Sequence, residues 1–134
     1  MNTLKRLTSR FLLALSALCL AAGGAVHALA FPKAAVVVDH STLPPFFAAA
    51  FKDLWLFDSI NSVVFALAFG AIAAFPAAAS RWLVMLLACA PLAVAVEMLA
   101  TLGNFPPSYV MLVAGGAALI GGALMGGRLP PVVR

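Results

Sequence analysis

Four long apolar runs organise the chain, at 11–30, 54–75, 82–102 and 108–127. Each approaches the roughly 20 residues that an α-helix needs to cross a hydrocarbon core. Polar residues gather between the runs and do not alternate within them, so the period of two that a membrane barrel requires is missing. The breaks carry helix-end chemistry. Pro76 stops the second run, Ser80 stands where a cap for the third belongs, and "GNFPPS" at 103–108 joins the third and fourth through one glycine, one asparagine and two prolines. The pattern predicts helices over 9–30, 44–75 (membrane span 54–75), 81–102 and 107–127. Pro91 removes one backbone donor inside the third helix and predicts a kink there.

Between the first two helices lies a predicted outer loop, 31–43. Its "AAVVV" stretch, 34–38, is β-branched and apolar and suits an extended strip against the membrane or the bundle. "STLPP" at 41–45 then reads as a helix start, with Ser41 or Thr42 capping and proline in the first turn. Phe46, Phe47, Phe51 and Trp55 mark the approach to the membrane, aromatic rings at headgroup level.

Composition makes lipid the solvent. The chain is 65% hydrophobic and only 9% charged, whereas a soluble domain carries about 25% charged residues. The fold class expected is an all-α integral membrane protein, a bundle of four transmembrane helices in one domain over 1–134. The first run also has the basic start, apolar middle and "ALA" (28–30) of a cleavable signal peptide. Cleavage before Phe31 would leave three helices. The run is nevertheless long enough to span, and the retained helix is the reading preferred.

Charge bears on topology. With the N-terminus inside, Lys5, Arg6, Arg10, Arg81, Arg128 and Arg134 fall on the inner side and Lys33 and Lys52 on the outer. That bias follows the positive-inside rule and places both termini in the cytoplasm. The Ala-rich style suggests a bacterial inner membrane. The net charge of +4 is dispersed, unlike a nucleic-acid patch, so no nucleic-acid partner is expected. Cys19 and Cys89 lie within apolar runs and read as inert small hydrophobes.

Two acids interrupt the spans, Asp58 in the second and Glu97 in the third. A carboxylate facing lipid costs about 2.5–3.5 kcal/mol at a helix centre, so such residues face protein or water. At a rise of about 1.5 Å per residue, Asp58 lies about 10 Å and Glu97 about 8 Å outward of the middle of its span. The two thus share a level, with His27 slightly shallower and Asn61 one turn below Asp58. Asp58, Glu97, His27 and Asn61 form the candidate intramembrane polar or ion site. Each acid also lies on an i+4 row of small residues. Asp58 heads a row through Ser62, Ala66 and Gly70, while Glu97 follows Cys89 and Ala93 and precedes Thr101. The fourth helix offers Ala114, Ala118, Gly122 and Gly126. Small residues at this spacing let membrane helices approach closely.

Three readings of the cluster compete: structural hydrogen bonding, a proton or cation site, and a metal site of His27, Asp58 and Glu97 with His40. No HxxxH or ExxH spacing supports the third, so no metal, cofactor or catalytic residue is assigned. The function expected is a non-enzymatic subunit or accessory membrane protein, associating through small-residue helix faces. The alternative is a proton- or cation-coupled transporter, or an ion- or metal-binding protein, using the carboxylate pair. The partners expected are the lipid bilayer and a homo-oligomer or larger membrane complex.

Overall fold

The structure is a computed structural model that describes residues 2–126. It contains four helices, α1 (Thr3–Asp39), α2 (Pro45–Ala74), α3 (Arg81–Leu102) and α4 (Pro106–Leu124), with a single 3-10 turn at Pro76–Ala78 between α2 and α3. All four are long and apolar enough to cross a membrane. Gly127, Arg128 and Arg134, which the sequence reading uses, lie outside the described residues.

The expected loop at 31–43 is a correction: α1 is a single helix of 37 residues that continues through Pro32 to Asp39. An interior proline removes one hydrogen bond and crowds the carbonyl four residues back, and packing further along outweighs that cost. Val38 is buried, and the Lys52 ammonium on α2 bonds the Asp39 carboxylate at the end of α1. The β-branched preference of "AAVVV" is weak beside such contacts. What remains of the loop is 40–44, where the Ser41 hydroxyl accepts from Leu43 N at 3.3 Å. At its other end α1 begins well before residue 9, with Asn2 as cap accepting from Leu4 N at 3.2 Å.

Length divides the helices into two classes. At about 1.5 Å per residue, α1 and α2 run about 55 and 45 Å, well beyond a core about 30 Å thick. α3 and α4, of 22 and 19 residues, match that core closely.

Helix α1 packs against both α2 and α4, and α3 packs against α4. The order across the molecule is therefore α2–α1–α4–α3. α2 and α3 are consecutive in the chain yet scarcely touch, and a cleft lies between them. α1 is the middle of the fold, and its buried stripe of Ser9, Leu13, Ser16, Leu20 and Gly24 repeats every three or four residues. Opposite it, Gly24 lies so near α2 that a Cβ there would be 3.0 Å from Ser62 Cβ and 3.1 Å from the Ser59 carbonyl. The closest approach is between α3 and α4. A Cβ on Gly115 would fall 2.6 Å from Leu92 Cγ and 2.9 Å from Leu92 N.

Helix ends explain why α1 is central. The last carbonyls of a helix lack intrahelical donors. Arg10 Nε donates to Ala73 O at the end of α2 at 2.8 Å, which also places a cation at the negative end of that helix. Ser9 Oγ donates to Gly121 O at the end of α4 at 2.7 Å. Two consecutive residues of α1 thus close the ends of both neighbours. For α3, Ser80 caps the start, its hydroxyl accepting from Leu83 N at 3.2 Å. Gly103, at φ 68, turns the chain toward α4.

Candidate functional site

His27 follows Gly24 by three residues, on the edge of the α1 face that packs on α2. Trp55 and Asp58, also three apart, share a face of α2. The His27 and Trp55 rings stack at 4.3 Å and 10°, and Trp55 Nε1 donates to the His27 carbonyl at 2.9 Å. That ring stack aims His27 Nε2 at Asp58 Oδ2, 3.6 Å away. The separation exceeds a hydrogen bond and is an electrostatic contact whose strength depends on the protonation of the imidazole. Both side chains remain partly exposed, 33% for His27 and 44% for Asp58. The expected grouping of His27 with Asp58 is therefore assembled by an aromatic support that the sequence reading placed only at headgroup level.

Asp58 also lines the cleft between α2 and α3, a space of about 230 Å³. Asn61, one turn on, lines the same space with Ser62 and Phe65. Pro91 and Val94 of α3 form the facing side, and Leu20 of α1 and Met111 of α4 complete the lining. Pro91 has no N–H, so the Leu87 carbonyl one turn earlier lacks its usual donor. The cleft wall thus combines one carboxylate, one amide and one hydroxyl with apolar side chains.

Glu97 is placed elsewhere. The buried face of α3 is Val84, Ala88, Pro91 and Ala95, and Glu97 comes two residues after Ala95, about 200° further round the helix. Cys89, Ala93, Glu97 and Thr101 are all exposed, so their row faces outward. The Thr101 hydroxyl donates to the Glu97 backbone carbonyl at 2.9 Å and stands 3.4 Å from Oε1. The structure gives Asp58 a histidine for a neighbour and gives Glu97 a threonine on its own helix.

The small residues chosen for helix packing also have definite places. Ala66, Ala114, Ala118 and Gly122 are buried between helices of this chain, Gly70 is half-buried beside Ala17, and Gly126 is exposed beyond the end of α4. Cys19 is half-buried and Cys89 exposed, both as free thiols. Among the described residues no three His, Cys, Asp or Glu side chains stand together in a way that could hold a metal ion.

Ser9, Arg10 and the Trp55 indole N–H are residues whose roles sequence reasoning missed. Arg10 read only as part of a basic start, since nothing in the sequence tells which helix end it will reach. Comparison of the chain with protein families, curated proteins and solved structures finds no match.

Proposed function

We propose that this chain is a non-enzymatic component of a bacterial cytoplasmic membrane, a subunit or accessory protein that associates within the bilayer, first of all with a second copy of itself. Both termini are placed in the cytoplasm, as the distribution of Lys and Arg favours. The observation that carries the reading is Glu97. It is exposed on a row of small residues, Cys89, Ala93 and Thr101, and a carboxylate within a span is costly when it faces lipid, about 2.5–3.5 kcal/mol at a helix centre and less toward its ends. A second helix on that row relieves the cost, and the small residues allow it to approach. The faces expected from the sequence to receive a partner, Ala114, Ala118 and Gly122 on α4 and Ala66 on α2, are filled by the chain's own helices. The association surface is accordingly assigned to the outward row of α3.

Cys89 lies on this row, two turns from Glu97, and supplies the test. In membranes holding the Cys19→Ala variant, oxidative crosslinking through Cys89 yields a covalent dimer, and Ala93→Leu or Glu97→Leu suppresses it. Monomers alone, or a dimer indifferent to both substitutions, would overturn the assignment. A second reading, a cation-binding or cation-coupled membrane protein, is favoured by one observation: the Asp58 carboxylate opens onto the α2–α3 cleft. Glu97 takes no part in that reading as a partner of Asp58.

A further inference from the structure

We infer that the α2–α3 cleft binds a small organic cation, a primary ammonium on a compact apolar body. The inference rests on the cation-binding reading of Asp58 and names the ligand class. Charge is the first reason. Among the described residues Asp58 is the acid that lines the cleft and no basic side chain lines it, and its ionic neighbour His27 approaches no closer than 3.6 Å.

Hydrogen-bond demand is the second. A primary ammonium carries three donors and no acceptor. The wall offers acceptors to match in the Asp58 carboxylate, the Asn61 amide oxygen and the Ser62 hydroxyl.

Shape is the third. Leu20, Phe65, Val94 and Met111 make the rest of the wall apolar, and an inorganic ion would leave that surface without contacts. The volume is about 230 Å³. An apolar cavity of about 150 Å³ takes a benzene, so the ligand body is a ring or short branched chain of somewhat greater size. A divalent metal fits poorly, because a single carboxylate supplies too few hard ligands.

The test uses the full chain in phosphatidylcholine nanodiscs, with Trp82→Phe so that Trp55, beside Asp58, is the fluorescent reporter. Titration with cyclohexylmethylammonium should give a saturable change in Trp55 emission, and uncharged cyclohexylmethanol should not. Asp58→Asn should weaken binding at least tenfold. Asp58 also touches His27, so Val94→Phe serves as the second variant: it fills the cleft from α3, away from the α1–α2 contact. It should abolish saturation while circular dichroism and the melting temperature stay unchanged. The same unsaturable response in all three proteins would mean partition into the bilayer and would overturn the inference. If sodium chloride alone gives a saturable response that depends on Asp58, and the amine does not displace it, the ammonium class is wrong and the cation reading stands. No saturable response to either cation sinks both.

Discussion

The α1–α2 and α3–α4 hairpins are both antiparallel pairs in the same chain, yet they cohere by different means. Between α1 and α2 the seam is rich in polar contacts: Arg10 to the end of α2, Trp55 to the His27 carbonyl, His27 beside Asp58, and Lys52 with Asp39 where α1 ends. Between α3 and α4 the seam is close backbone approach. Leu92 lies over Gly115 and Val84 over Gly122. Lipid tails are as apolar as leucine, so burial alone does not drive membrane helices together. What remains are hydrogen bonds and packing: the α1–α2 half adds polar contacts to its close approach at Gly24, and the α3–α4 half relies on close approach. The polar half is also the long half, reaching beyond the hydrocarbon, where charged side chains are hydrated.

Several substitutions break that contrast, and the first strikes the packed half. Gly115→Ala inserts a methyl against the Leu92 backbone and should destabilise by about 1–3 kcal/mol, in the range of overpacking. Gly116→Ala, one residue on, meets nothing within 4 Å and should be neutral or gain up to about 1 kcal/mol from helix propensity. Unfolding in mixed detergent and dodecyl sulfate micelles compares the two, and equal effects would mean that α3 and α4 are not in close contact at Gly115.

In the polar half, Trp55→Phe keeps the ring and loses the N–H. It should cost about 0.6–1.7 kcal/mol, the measured scale for hydrogen bonds between membrane helices. A double-mutant cycle of His27→Ala with Asp58→Asn should show coupling of about 0.5 kcal/mol or more, and strict additivity would mean that the 3.6 Å contact contributes nothing. Lys52→Met should cost less, at most about 1 kcal/mol and less still in high salt, because its partner Asp39 is largely exposed. The smallest effect is at Ser16, whose buried hydroxyl is unpartnered among the described residues. Ser16→Ala should be neutral or stabilising by up to about 1 kcal/mol, since it removes an unsatisfied group. A marked loss there would reveal a hydrogen bond.

The existence of four helices is legible in the sequence because each apolar run is long and uninterrupted by charge beyond a single acid. The C-terminal end of α1 is not legible. Pro32 and the β-branched 34–38 argue locally for a break, and what overrides them, the burial of Val38 and the pairing of Asp39 with Lys52 of α2, is tertiary. The candidate site divides the same way. Helical rise gives the common level of His27, Asp58 and Glu97 without knowledge of the fold. Azimuth depends on which face of each helix is buried, and in an Ala-rich α3 the small-residue row through Glu97 competes with the row through Ala88 and Ala95. Packing against α4 takes the latter, so Asp58 lines the α2–α3 cleft while Glu97 is exposed on another face of α3.

The central claim is that α1 is the keystone of the fold, seated between α2 and α4 and closing both of their ends. It predicts that residues 3–30 stay in the mature protein despite their resemblance to a signal peptide. Cleavage before Phe31 would remove Ser9, Arg10, Leu13, Leu20, Gly24 and His27 together and leave α2 without its neighbour. Intact-mass spectrometry of the protein extracted from native membranes tests this directly. The mass should be that of a chain that retains residues 3–30, and a mature form beginning at Phe31 would contradict it.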